Sequence, residues 1–326
     1  MPEWLVEHGI AETRAALIDD GHIVGARIEL EGAVHAGSVL EVRLMSVGQN
    51  GRNAVAKDAG GTEYLLTQGA SGATEGSNLN IEVTREAIPG SEPWKRPLGR
   101  AASGTAKALP PLEERLGARR LIFPNRRDEL GEAGWNDLME EAAAGTISFP
   151  GGQLRLCATP AMTLIDVDGP SPSSELVIFG AKAAAQAILR LDIGGNIGVD
   201  LPTVREKSAR TLAVEEVDGQ LAGTRFERTA INGFGFLQIV RPRLRPSILE
   251  LAQDRATFEA RALLRRAAFE TPGSKRLVAH PAVIGVLAGR EDWTQKLSRQ
   301  LGGTIELRSA GGLAMSGGYA ERFSKA

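Results

Sequence analysis

Apolar and polar positions divide the chain into two kinds of territory. Between residues 12 and 97 the apolar runs are short and spaced for strands; from 113 onward strand-like runs alternate with helical ones. Residues 12–30 (ETRAALIDDGHIVGARIEL) predict a β-hairpin, because two apolar-rich runs flank Asp19, Asp20 and Gly21, a turn composition that tolerates positive φ. The runs GSVLEVRLMSV, RNAVAKDA, TEYLLTQ and NLNIEVTREA, separated by Gly, Asn and Ser, predict a small barrel over 33–97. Residues 88–112 carry Pro89, Pro93, Pro97, Pro110 and Pro111 among Gly, Ser and Ala. They read as a linker, placed at 98–112 between the barrel and a larger domain over 113–326.

In that larger domain a helix is expected near 133–144, then strands at 146–149 and 153–157 and the apolar run Met162–Val167. An Ala-rich helix follows at about 175–192, stopped by Gly194 and Gly195, and a short strand Asn196–Val199 ends at Asp200. A helix near 203–216, two strands within 223–241, one long Arg-rich helix at 246–268, and strand, helix and strand over 276–306 complete the pattern. The tail after Ser309 is Gly-rich. Alternating strands and helices predict an α/β layer.

Composition narrows the picture little. The chain has 326 residues, 42% apolar and 24% charged, with a net charge of −2, so any surface for nucleic acid must be a local one. Cys157 is the single cysteine, which excludes an internal disulfide and a Cys-based zinc site within one chain; inside an apolar strand it reads as core. The N-terminus lacks a signal-peptide pattern and no run is long enough to cross a bilayer, so a cytoplasmic protein without membrane contact is expected.

Candidate chemistry lies where strands end in acids. In Ala161–Asp168 a buried-looking strand runs into Asp166 and Asp168, which alternation places on one face roughly 6.5–7 Å apart. Asn196–Asp200 ends in an acid again. A right-handed strand–helix–strand crossover would bring the two strand ends together at the carboxyl edge, where open α/β sheets bind ligands. Mg²⁺ needs only a few carboxylates and keeps its waters, so such a pair suffices to present a metal to a phosphate. Acids in these places also serve simply as loop-facing or capping residues. His280, before Pro281, reads as a structural histidine. Nothing pairs a Ser or Cys nucleophile with a His, which disfavours a triad hydrolase.

The ordered motifs TPAMTLIDVDG (159–169), LRLDIGGNIGVDL (189–201), GFGFLQIVRPR (233–243), VAHPAV (278–283) and LGGTIEL (301–307), with FPGGQL (149–154) upstream, resemble the catalytic stretch of the ribonuclease E/G family. The resemblance covers roughly 130–307, with a weaker match of 12–100 to that family's N-terminal strands and embedded S1 barrel. It implies a mixed α+β / α/β fold: an OB-like, S1-type barrel joined to a DNase I-like / RNase H-like catalytic layer, with the 1–32 hairpin packed on it. It also implies a Mg²⁺-dependent endoribonuclease, with Mn²⁺ a possible substitute, that cleaves single-stranded RNA to 5′-phosphate and 3′-hydroxyl ends. By position, Asp166 and Asp200 fall on the metal ligands, Asp168 on a supporting Asn, and Arg225 on an arginine near the scissile phosphate. Arg241 and Arg243 fall in a basic run, which an alternating strand would place on one face. Tyr64 falls near a base-stacking aromatic, and Arg85 near a residue that touches the RNA backbone; Val55 or Ala56 stands where a second aromatic is expected.

Three departures limit the carry-over. The segment that senses a 5′-monophosphate is nearly absent, with only 98–134 in its place. The zinc-link cysteines are missing, so a homodimer would have to form without them. Leu201, Pro202 and Thr203 replace a third acid. A non-catalytic RNA-binding or regulatory protein of the same fold is therefore the alternative reading, and a metal-dependent phosphohydrolase acting on a small substrate is a third.

Overall fold

The structure is a computed structural model that describes residues 1–89, 95–125, 127–170 and 173–323. Three strands, β1 (Glu3–His8), β2 (Glu12–Asp19) and β3 (His22–Leu30), form an antiparallel ribbon. The expected hairpin is its second half. Asp20 and Gly21 take φ of 48° and 76°, the left-handed conformations its turn requires.

The chain then forms a closed barrel from β4 (Val39–Ser46), β5 (Ala54–Lys57), β6 (Glu63–Leu66), β7 (Asn78–Arg85) and β8 (Leu98–Ala101), in the order β4-β5-β6-β8-β7. Alternate residues point inward, so Val42, Leu44, Ala54, Ala56, Tyr64, Leu66, Ile81 and Val83 fill the interior. The four strand-like runs of the sequence match β4 to β7. The fifth strand is supplied by the expected linker. Gly99 reads as a turn residue in sequence, but it faces a crowded barrel interior, where a Cβ would come within 2.9 Å of Ile81 Cδ1 and 3.0 Å of Leu66 Cδ2. Of the linker prolines, Pro93 lies outside the described residues.

After the barrel, α1 (Leu112–Leu116) leads to β9 (Arg119–Leu121), which adds to β1 in parallel and completes the four-stranded sheet β3-β2-β1-β9. Next come α2 (Glu129–Glu132) and α3 (Trp135–Ala144). A six-stranded sheet follows in the order β10-β11-β12-β13-β15-β14. Its strands are β10 (Thr146–Phe149), β11 (Gly152–Ala158), β12 (Thr163–Asp168), β13 (Gly195–Asp200), β14 (Glu227–Arg228) and β15 (Phe236–Arg241). Only β12 and β13 pair in parallel, joined through α4 (Ser174–Arg190); the other pairings are antiparallel, so the sheet is mixed and not a run of parallel strands.

Helix α4 starts at Ser173, whose side chain accepts the Leu176 N–H, and packs its apolar stripe between this sheet and β3. At Gly180 it comes so close to β12 that a Cβ would lie 2.4 Å from Val167 Cγ1. Helix α5 (Lys207–Gln220) lies against α4. The expected long helix is two, α6 (Ile248–Leu251) and α7 (Arg255–Ala268), because Ser247 and Asp254 each cap a new start. The C-terminal part builds a second core from β16 (Lys275–Ala279), α8 (Pro281–Ala288), α9 (Glu291–Leu301) and β17 (Ile305–Ser309). The Gly-rich tail contributes β18 (Tyr319–Arg322), which pairs antiparallel with β16. His280 caps α8, its Nδ1 accepting the Ala282 N–H. Among the described residues no helix is long and apolar enough to cross a membrane. The fold is thus a mixed α+β one containing a closed five-stranded barrel.

Candidate active site on the open sheet face

One face of the six-stranded sheet carries Leu154, Leu156, Ile165, Val167, Ile197, Val199, Leu237 and Ile239, all buried. The strand period of two therefore sends the intervening side chains to the other face, which is open. There Asp166 and Asp200 are direct register partners on adjacent parallel strands, at their carboxyl ends. Such strands lie about 4.8 Å apart, and Asp168 stands two residues further along β12 on the same face. All three acids are exposed. Partial burial, then the negative charges of Asp168 and Asp200, push the Asp166 carboxyl above its ordinary value against the pull of Arg155. Arg155 lies opposite Asp166 on β11, and its Nε is 3.3 Å from Asp168 Oδ2. Cys157, expected in the core, is exposed, because it shares the parity of Arg155 and not that of Leu156.

The floor beside the acids is apolar. Gly198 leaves room for its neighbours, since a Cβ there would meet Phe236 Cζ at 2.5 Å and Leu164 Cδ2 at 3.1 Å. Phe236 is the register partner of Asp200. The preceding loop is fixed by Asn232, whose Oδ1 accepts the N–H groups of Phe234 and Phe236 at 2.9 and 3.0 Å. The Thr203 hydroxyl, three residues past Asp200, donates to the Phe234 carbonyl at 3.0 Å. Phe234, an aromatic of the motif GFGFLQ with no role assigned from sequence, is left 83% exposed on this loop. Its signal was a Phe between two glycines.

The remaining sequence candidates do not join this cluster. Arg225 precedes β14, whose Glu227 is level with Val240 and hence with Asn196. Four strand residues, roughly 13 Å, separate that level from Asp200, so register places Arg225 toward the opposite end of the sheet from the acids. Arg225 is exposed there. Arg241 shares the parity of Leu237 and Ile239, so it projects from the face opposite the acids, where Nη1 donates to the Ile193 carbonyl at 2.7 Å. Arg243 lies beyond the strand end and Pro242, ion-paired with Glu250, and does not share a strand face with Arg241. Arg85 donates to the Arg96 carbonyl at 2.7 Å and is half-buried. Tyr64 points into the barrel with 0% exposure, its hydroxyl donating to Asp58 Oδ2 at 2.8 Å, so no base can stack on it in this conformation. Inward parity, not chemistry, decides that.

A second group that could hold a metal lies elsewhere. Among the described residues, the one set of three or more His, Cys, Asp or Glu side chains whose ligand atoms lie within 4.8 Å of one another is Glu29, His35 and Glu86. The three surface acids do not meet that criterion as a trio. His35 Nδ1 is 3.2 Å from Glu86 Oε1, and Nε2 is 3.9 Å from Glu29 Oε2. Burial lowers the affinity of His35 for a proton, but the hydrogen bond to Glu86 and the charge of Glu29 outweigh it and push the imidazole up. Sequence spacing could not reveal this set, because Glu86 lies 51 positions beyond His35. The one local sign is an acid in β3 between Ile28 and Leu30. No family model matches this chain, and a search of curated proteins finds no match to it.

Proposed function

We propose that the chain is a divalent-metal-dependent endoribonuclease that acts at Asp166 and Asp200, hydrolysing single-stranded RNA to 5′-phosphate and 3′-hydroxyl products. One observation carries the reading: two aspartates level with each other on adjacent parallel strands, joined on the same open face by a third and answered by one guanidinium. Their mutual repulsion suits the place to a cation. The Asp166 carboxyl is raised by its neighbours, an excess of negative charge that a dication would relieve, and an all-oxygen donor set suits Mg²⁺ or Mn²⁺. Asp166 and Asp200 would hold the ion, and Asp168 would add charge beside it. When bound, such an ion lowers the pKa of water and neutralises charge on the phosphate. Phe234 offers a face on which a base can stack, a contribution of about 1–3 kcal/mol on aromatic platforms. Arg155 would hold a phosphate oxygen once its contact with Asp168 is exchanged for the metal's.

The test is a 5′-labelled, A/U-rich single-stranded oligoribonucleotide incubated with and without Mg²⁺. Cleavage should require the ion and fall by about 10²-fold or more in Asp166→Asn and Asp200→Asn, the scale set by losing a group that stabilises transition-state charge. Wild-type rates in both variants would remove the assignment. A second reading, RNA binding without cleavage, is favoured by two observations: Arg225 stands remote from the acids, and Arg241 and Arg243 are engaged elsewhere. Mg²⁺-independent binding with no cleavage would select it.

A further inference from the structure

We propose that Glu29, His35 and Glu86 form a second metal site, selective for a borderline transition-metal dication of the Zn²⁺ or Co²⁺ class, which clamps the barrel to the N-terminal sheet. The three residues come from three places: Glu29 from β3, His35 from the connection entering the barrel, and Glu86 from the residue that follows its strand β7. The Glu86 N–H also donates to the Leu244 carbonyl at 2.8 Å, so the same point is tied to the segment after β15. An ion held here would join the core sheet to both ends of the β4–β7 segment.

The donor set is built, not incidental. Glu29 and Glu86 are 7% and 6% exposed, and one ligand atom from each of the three residues lies within 4.8 Å of the others. Existing contacts leave capacity. Arg115 Nη2 donates to Glu29 Oε2 at 2.5 Å, and the Ala36 N–H donates to Glu86 Oε1 at 3.4 Å. Glu29 Oε1 is buried and has no hydrogen-bond partner, an orphaned acceptor that a cation would satisfy. Among the described ion pairs, Glu86 is answered only by His35, and Glu29 by His35 and Arg115. The cluster borders a cavity of about 660 Å³ lined by Glu29, His35, Leu40, Lys107 and Arg115, which gives an ion and its water a path in. Imidazole beside carboxylate favours Zn²⁺ and Co²⁺, whereas Mg²⁺ gains little from nitrogen and suits the all-oxygen group on the open face.

That difference separates the two sites experimentally. The full chain carrying Asp166→Asn and Asp200→Asn is titrated with Co²⁺ in excess Mg²⁺, and the visible d–d absorption of the bound ion is followed. One equivalent should bind and raise the unfolding temperature, as any ligand selective for the folded state does. His35→Gln should abolish the band, and Glu86→Gln should weaken binding by more than about tenfold, the lower range for losing even an outer-shell partner. His22→Ala, at an exposed histidine, should leave the band unchanged. Absence of a cobalt band in the parent overturns the proposal whatever the variants do, and so does an undiminished band in folded His35→Gln.

Discussion

Two regions of the molecule hold three carboxylates each and treat them oppositely. Where β1 and β2 meet α7, Glu7, Glu12 and Asp128 are answered by Arg14, Arg261 and Arg265. All of these except Asp128 are almost fully buried. On the open face, Asp166, Asp168 and Asp200 are answered by Arg155 alone among the described ion pairs. The contrast follows from solvent. An ion taken out of water must find its counter-ion inside the fold, while an excess of charge persists only where water or a metal reaches it. The buried set is therefore matched charge for charge, and the exposed set keeps an excess of negative charge.

The sharpest way to break this comparison is to remove Arg265. It donates to both oxygens of Glu7 at 2.9 and 3.0 Å and to Asp128 at 2.6 Å, so truncation leaves buried Glu7 to Arg14 alone and removes the ion pair of Asp128. Arg265→Ala should cost roughly 3–5 kcal/mol in denaturant unfolding, the range for breaking a buried pair. A loss under about 1 kcal/mol, the scale of a surface pair, would show the network to be ornamental.

A smaller effect tests what supports the open face from below. Gly180→Ala pushes a methyl into Val167, the residue between Asp166 and Asp168. Overpacking of this kind should cost about 1–3 kcal/mol and shift the acid-bearing strand. An unchanged midpoint would mean that α4 does not set the position of β12.

Local patterning made one of these regions legible and not the other. Alternation in Thr163–Asp168 and Gly195–Asp200 announced strands ending in acids, and their parallel pairing followed from the helix between them. The same parity argument, carried past its range, misplaced Arg243, because Pro242 lies just beyond the last residue of β15. The resemblance implies a place for Arg225 near the scissile phosphate, whereas the register of the two-residue β14 against β15 sets it toward the end of the sheet away from Asp200. In β1 the acid Glu7 is buried, and its counter-ion Arg265 comes from 258 positions away. Strand β8 hid in a stretch of turn residues, and β18 in a Gly-rich tail. The trio of Glu29, His35 and Glu86 exists only once the barrel has folded back on β3. What sequence withholds here is pairing between distant segments.

The smallest effect bears most directly on the comparison, because its sign is unusual for the loss of a charged side chain. The Asp166 carboxyl is raised above its ordinary value, so the folded chain binds that proton more readily than the unfolded chain does. The favourable contribution is fully present below the ordinary Asp value of about 3.9 and is lost as pH climbs through the raised folded value. At neutral pH without divalent ions, the wild type therefore carries repulsion that Asp166→Asn removes. The variant should be equally or slightly more stable, by no more than about 0.5 kcal/mol given the exposure of the site. The two curves of unfolding temperature against pH should converge in acid. If Asp166→Asn is instead less stable at neutral pH by more than about 1 kcal/mol, its carboxylate is serving the fold as Glu7 does, and the division between a binding face and a structural core collapses.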